Sequence, residues 1–520
     1  MSQNLPSNYF KQLLILTVAS FWIGFCFLSG TTPLFDLDEG AFGQATLEMF
    51  QRNDFMATYL NGEPRYDKPI LSYWLQAASI SLLGVNEWAF RLPSILASLL
   101  WAWVIYFGGK RLVDRQTALI AAGLMLVSIQ VTLIGKAATA DALLNLFLTA
   151  TAFSLYFALN EKSERWLLVA AVASGLGVLT KGPVALLIPG ATLLIYAVLS
   201  RQLSLVFWAM SRVRAWVLLL AVALPWYLLQ YLRDGPAFIE GFFFTHNVSR
   251  FSQAMEGHGG PVWYFLPVVL IGLLPASGLL VAMASNWSQL KQKSWVLFFL
   301  IWFLFVLLFF SFSATKLPHY IIYGYSGLFV ILAYCSRLRV NQYWVFVPPL
   351  LLLTLLLGLP SLVSWKLSAI ADPFVRAMLA DSNTQFDATY YLLVGVAWLA
   401  TLYCLFERNI DVALKIVACG VLLNLVISSQ LIAKVGWFQQ QPIREAAIRA
   451  RDYSQPAILW RFNRPSFSLY SGKIARRSNP LPDHLVLTKT KYLTDAHRYD
   501  LIYQERGVSL VLWKGQSRVD

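Results

Sequence analysis

Residues 294–312 read SWVLFFLIWFLFVLLFFSF. The stretch holds no charged residue. At about 1.5 Å of rise per residue it matches a bilayer hydrocarbon core of roughly 30 Å. Lys291 and Lys293 precede it, and Lys316 and His319 follow it. It reads as a transmembrane helix with charge waiting at both ends, and the rest of the chain repeats the pattern. Further apolar stretches lie near 11–29, 90–108, 117–134, 141–159, 166–179, 183–199, 214–232, 262–284, 318–336, 343–363, 390–406 and 413–432. Together they predict about thirteen spans, each near the crossing length. Only TKGP separates 166–179 from 183–199, so a re-entrant pair is the alternative there. The N-terminal stretch shows no small-residue cleavage site and is expected to be a retained first helix.

Composition agrees. The chain has 520 residues, of which 58% are hydrophobic and 13% charged. Soluble domains carry roughly 25% charged residues. The 19 Trp and 23 Tyr suit rings placed at membrane interfaces. The net charge of +14 does not point to nucleic acid, because the basic residues are spread over short loops. Alternate loops carry Lys110, Arg111 and Arg115; Lys162 and Arg165; Arg201, Arg212 and Arg214; Lys291 and Lys293; Arg337 and Arg339; and Arg408. Such enrichment marks the cytoplasmic side. The N-terminus is then expected inside, and the other loops and the C-terminal segment outside. Cys26, Cys335, Cys404 and Cys419 sit in apolar stretches without metal spacing, as inert thiols do.

The outward loops hold the chemistry-bearing residues. Residues 30–89 form the first long one and contain PILSYWLQAASISLLG, which reads as an interfacial amphipathic helix. Residues 233–261 and 364–389 form two more. From about 437 the long apolar runs stop and strand-like AILW, HLVL and VSLVLW appear. The expected fold is therefore an all-α polytopic membrane protein, residues 1–435, with a small C-terminal extracytoplasmic α/β domain, residues 436–520. That tail gathers Arg461, Arg464, Lys473, Arg476 and Arg477, either a solvated face or a contact for anionic headgroups.

Asp38 and Glu39 follow the first span. Neighbours on a helix point about 100° apart, so one can face a substrate while the other holds structure or a metal. Acidic helix capping explains the pair equally well. Lys68, in Asp67-Lys68-Pro69, can hold a phosphate or snorkel to headgroups. Lys136 and Asp141 flank a small-residue turn; Asp141 can cap its helix, or the two can pair with Lys68 and Asp38. Lys181 lies in TKGP. His246 and Arg250 can share a helix face, with Asn247 between them, and an Arg there can grip a phosphate with two hydrogen bonds. Lys316 and His319 close the set. His246, His258 and Asp67, with Asp38 and Glu39 nearby in sequence, are the candidate ligands for a divalent metal, Zn or Mg, without a diagnostic spacing.

Taken in order, these motifs resemble a known family. The loop FDLDEGAFGQATLEMFQRNDFMATYLNGEPRYDKPILSYWLQAASISLLGVNEWAFRLPS, then ATADALL, LTKGPVALLIPG, ALPWYLL, FFFTHNVSRF with GHGGPVWYF, and SATKLPHYI are similar to the protein mannosyltransferase-like GT-C glycosyltransferases. Within these they look closest to the bacterial branch containing the lipid A aminoarabinose transferase. The resemblance covers about residues 30–330. It implies a sugar moved, with inversion, from a polyprenyl-phosphate donor to an acceptor outside the cytoplasmic membrane. Lipid A or another envelope glycolipid is the first acceptor, and a Ser or Thr of an exported protein the second. It implies catalytic roles for Asp38, Glu39, Lys68 and Asp141. The donor phosphate falls to Lys68, Lys136, Arg250 and Lys316, and substrate contacts to Lys181, His246, Asn247 and His319. One departure is Asp67, where related enzymes often carry Glu, which weakens a metal role for it. A polytopic transporter is the rival reading; it predicts ionisable residues at mid-span and broken helices in corresponding halves.

Overall fold

A computed structural model describes residues 7–252, 257–494 and 496–515; the side chains of Asn247 and Arg250 lie outside the described residues. The chain is a bundle of α-helices with a small sheet near its C-terminal end. Among the described residues nine helices are long and apolar enough to cross a membrane, or ten when one bent pair counts as a span. Ser294–Phe312 is one of them and coincides with the uncharged stretch SWVLFFLIWFLFVLLFFSF.

The thirteen expected spans therefore do not all stand as continuous helices. Residues 117–134 split into Arg115–Val127 and Ile129–Gly135, bent by 69°. Residues 262–284 split into a short helix ending at Gly272 and another, Leu279–Ser285. The two breaks serve each other. Ser128 Oγ donates to the Gly272 carbonyl at 2.7 Å, and the Ile129 N–H donates to the Leu274 carbonyl at 3.1 Å. Non-helical backbone among apolar helices is tolerated where protein satisfies its polar groups, and here each broken segment does so for the other. Val184–Leu199 has 16 residues. It is parted from Glu164–Lys181 by Gly182, whose φ of +80° suits glycine.

The first long loop builds the helix Asp38–Arg52, a short hairpin of Tyr59–Leu60 and Glu63–Pro64, and the helix Leu71–Leu83. The last falls on the stretch read as an interfacial helix, and it starts two residues after Pro69. The C-terminal region holds a five-stranded sheet. Ala457–Leu459 lies between Arg476–Arg477 and His484–Lys489, parallel to both. Val508–Trp513 pairs antiparallel with His484–Lys489 and with Tyr499–Glu505. All three strand-like stretches read from the sequence are in this sheet. Leu485, Leu487 and Leu510 from the sheet share a buried cluster with Ile443 and Phe467 from its covering helices. Leu34 and Phe90 join that cluster, so the sheet region rests on the base of the first loop.

Candidate active site

Asp38 and Glu39 open the helix Asp38–Arg52, where negative charge is favoured. Their side chains diverge as neighbours on a helix must. Glu39 is buried. Its Oε1 accepts from Arg91 Nε (2.8 Å) and the Ala138 N–H (2.7 Å), and its Oε2 from Arg91 Nη2 (2.6 Å) and the Phe35 N–H (2.9 Å). Burial pushes the carboxyl up, but the Arg91 guanidinium and the two backbone donors more than offset this and hold it below the ordinary range. Asp38 is exposed and makes no side-chain hydrogen bond or ion pair among the described residues. Its charge reaches Arg65 on one side and His319 on the other.

Around Arg65 lies the first of two clusters. The hairpin presents Arg65 by a backbone bond from its N–H to the Thr58 carbonyl, 2.8 Å. The guanidinium lies 5.6 Å from the Phe42 ring centre and donates to Asp67 Oδ2 at 2.9 Å. Asp67 Oδ1 accepts from Lys68 Nζ at 2.7 Å, and His246 Nδ1 is 3.3 Å from the same oxygen. The second cluster sits where Asp141–Glu161, Glu164–Lys181 and Pro318–Ser336 meet. Lys181 Nζ donates to Asp141 Oδ1 and to the Tyr323 hydroxyl, each at 2.6 Å. That hydroxyl donates to Asp141 Oδ1, also at 2.6 Å. Thr139 Oγ1 donates to Asp141 Oδ2 at 3.1 Å, and His319 Nε2 is 3.8 Å from Oδ1.

A cavity of about 310 Å³ joins the two clusters. Asp67, Lys68, Lys181 and His246 form its polar end, with Tyr320 and Tyr323 beside them. Val184, Leu187, Phe243, Phe251, Phe309 and Phe310 form apolar walls. Two ammonium groups at the head of a hydrocarbon-lined cleft fit an anion carried on an apolar chain.

Other expected residues fall elsewhere. Asp141 pairs with Lys181, not with Lys68, whose ammonium meets Asp67. Lys136 is buried and donates to Ser428 Oγ at 2.9 Å. It lines a separate cavity of about 420 Å³ with Glu39 and Arg91. Burial, reinforced by the Arg91 charge, pushes its ammonium down to about 7. Lys316 is buried beside the first cavity, its ammonium donating to the carbonyl of Ser313, a residue that lines the cavity. Asp67 and His246 supply two adjacent metal-type donors, but His258 does not complete them. No group of three His, Cys, Asp or Glu gathers among the described residues, so the expected three-ligand metal set is not met.

These elements have counterparts in known proteins. A family model described as dolichyl-phosphate-mannose-protein mannosyltransferase matches residues 67–228. The undecaprenyl phosphate-alpha-4-amino-4-deoxy-L-arabinose arabinosyl transferase of Yersinia pestis is 33% identical over 310 residues, 58% of this chain and 55% of that protein. Its Yersinia enterocolitica counterpart is 31% identical over 308 residues, with the same coverage. The chain thus matches over about half the length of these curated relatives. The crystal structure of ArnT from Cupriavidus metallidurans bound to undecaprenyl phosphate superposes with a TM-score of 0.78 at 19% identity, covering 98% of both chains. Its apo form gives 0.76. The chain shares the fold of these ArnT structures. It is a multi-pass membrane protein with a small strand-containing C-terminal region.

Within this candidate site, sequence reading missed Arg65, Arg91 and Tyr323. Arg65 was one charge in a polar loop, and only its spacing of two from Asp67 hinted at a pair. Arg91 had a plainer signal, a charge just inside an apolar helix, where an unpaired charge is costly. Tyr323 had none beyond sitting four residues after His319.

Proposed function

We propose that this protein is an integral-membrane glycosyltransferase of the bacterial cytoplasmic (inner) membrane. It moves a sugar from a polyprenyl-phosphate donor, undecaprenyl phosphate-linked, to lipid A or another envelope glycolipid. The N-terminus is cytoplasmic, and the site and C-terminal region, from about residue 436, face outward. The observation that carries this reading is the cleft headed by Lys68 and Lys181 and walled by apolar side chains, beside the exposed carboxylate of Asp38. The donor's chain lies along the apolar walls and its phosphate meets the two ammonium groups. Likeness to a fold solved with undecaprenyl phosphate supports the same assignment.

In the reaction the bond between the anomeric carbon and the phosphate oxygen breaks, and a bond from the acceptor oxygen to that carbon forms. The phosphate leaves with the electron pair, and its growing charge is stabilised by the fixed cations. When the acceptor is a hydroxyl, Asp38 takes its proton as general base. When the acceptor is a phosphate, the nucleophile is already ionised and Asp38 orients it. Lys181 serves twice, facing the phosphate while fixed by Asp141 and Tyr323. Glu39 holds the loop that carries Asp38 and touches no substrate. A single displacement inverts the anomeric centre.

The test is mass spectrometry of the lipid A fraction from cells with and without the gene. The expected result is a sugar-sized mass lost with the gene, restored by wild type and not by Asp38→Asn. An unchanged lipid A profile with altered exported glycoproteins selects the second acceptor class, which the name of the matched family model favours. A product of retained configuration overturns the single-displacement scheme.

A further inference from the structure

The C-terminal sheet holds a pocket of its own. Ala457–Leu459 and Arg476–Arg477 run parallel in register, with Leu459 opposite Arg477. The chain leaves both strands on the same side, and the residues that follow line an open surface pocket of about 480 Å³. Its polar lining is Trp460, Arg461, Asn463, Arg477, Ser478 and Asn479. The crevice beyond the carboxyl ends of parallel strands is where open α/β sheets bind ligands.

Three observations indicate the ligand. Among the described residues no carboxylate lines the pocket, and neither Arg461 nor Arg477 makes an ion pair or side-chain hydrogen bond. Two guanidinium groups without an internal acid suit a phosphate. Arg461 sits at φ +53°, a conformation rare for a residue with a side chain and one that recurs at functional sites. Its guanidinium lies 5.4 Å from the Trp460 ring and 5.5 Å from the Tyr492 ring, so the charge is set among aromatic faces beside amide groups. Aromatic faces with Asn side chains suit a sugar ring.

The pocket is also tied to the proposed active site. Three residues beyond Asn463, the Ser466 N–H donates to Asp36 Oδ1 at 2.9 Å, and Ser466 Oγ donates to Asp36 Oδ2. Asp36 is two residues before Asp38. At about 3.5 Å of reach per residue, the pocket rim lies within roughly 25 Å of Asp38. We propose that this pocket binds a phosphorylated sugar of the acceptor's headgroup and so presents the acceptor to Asp38. The proposal rests on the transferase reading for its purpose, but not for its test.

Purified full-length protein in detergent is titrated with glucosamine 1-phosphate, with inorganic phosphate and with glucosamine, followed by saturation-transfer NMR. The variant is Arg461→Asn with Arg477→Gln; Asn tolerates the left-handed backbone, and both sites are exposed. Glucosamine 1-phosphate is expected to bind more tightly than either fragment, with its Kd raised about tenfold for each arginine lost, ~1.4 kcal/mol apiece. The same variant is expected to raise KM for a phosphorylated glycolipid acceptor while leaving kcat and the donor KM unchanged. Arg477→Lys is expected to keep most of the binding. Equal binding by wild type and the double variant overturns the proposal. Equal affinity for inorganic phosphate and the sugar phosphate leaves only a general anion contact, such as with bilayer headgroups, and overturns it too. Binding lost in the variant of a protein without any transfer activity keeps the pocket and rejects the transferase reading instead.

Discussion

Replacing Glu39 with Gln tests whether this acid holds the site or works in it. Glu39 and Arg91 are 2% and 4% exposed, so each depends on the other for its charge. Arg91 also donates to the carbonyls of Ser29 (2.6 Å), Thr32 (2.8 Å) and Pro33 (3.1 Å), which fixes the chain entering the Asp38 helix. Each Glu39 oxygen receives one donor from Arg91 and one backbone N–H. A Gln amide nitrogen therefore meets two donors whichever way it is turned, and the guanidinium is left buried without a counter-charge. Breaking a buried pair from one side costs about 3–5 kcal/mol. That is a large part of a typical margin of roughly 5–15 kcal/mol. The assay heats detergent-extracted protein and measures the monodisperse fraction by size-exclusion chromatography. Glu39→Gln and Arg91→Gln are each expected to aggregate at temperatures that Asp38→Asn withstands. The double variant is expected to recover at least ~1 kcal/mol relative to additivity, since neither charge is stranded. A Glu39→Gln protein as heat-stable as wild type yet unable to transfer sugar refutes the structural role and returns Glu39 to the chemistry.

Asp38→Asn is expected to lower kcat by about 10²–10⁴ if Asp38 is the general base, with an unchanged melting profile, because the carboxylate makes no structural hydrogen bond among the described residues. Lys68→Ala is expected to raise the donor KM at least ~10-fold, the loss of one charged contact to phosphate; an unchanged KM removes Lys68 from the phosphate site. Tyr323→Phe takes one hydrogen bond from Asp141 and is expected to cost about 1 kcal/mol in kcat/KM, whereas Lys181→Met, which removes the ammonium paired with Asp141, is expected to cost several times more. Gly40→Ala puts a methyl 2.3 Å from Asp36 Oδ1 and 2.9 Å from the Ser466 nitrogen. It is expected to destabilise by about 1–3 kcal/mol, seen as faster proteolysis of the C-terminal region. Burial pushes the Asp36 carboxyl up to about 6, against the Ser466 donors and Arg464. A raised acid binds its proton in the folded state first, so its contribution favours folding as pH falls from above 6 towards 4. Stability of wild type relative to Asp36→Asn is expected to rise by about 3 kcal/mol over that window; a constant difference removes Asp36 from the linkage.

The parts of the fold legible in the sequence were those that one local property decides. Ser294–Phe312 is apolar from end to end, and its reading survived unchanged. The failures lie where a helix is broken by residues that look ordinary in sequence. Ser128 and Leu274 reveal their role only through the bonds joining the two broken segments. An apolar window counts residues and is blind to a 69° bend supported from outside the helix.

The candidate site shows the same division. Charges at span ends mark where chemistry can occur, because charge beside hydrocarbon must be balanced. Partner choice is another matter, since it depends on helices far apart in sequence. Asp141 has Lys136 five residues away, yet its partner is Lys181, because Glu164–Lys181 and Asp141–Glu161 form an antiparallel pair whose ends coincide. Lys136 turns instead to Ser428 and a separate cavity. The packing thus sorts one sequence motif into two electrostatic environments. Lys181 is held beside a carboxylate and a hydroxyl at the head of the cleft. Lys136 is buried near Arg91, where its charge is opposed. That difference, and not distance along the chain, is why the proposed donor-phosphate site takes Lys68 and Lys181 and not Lys136.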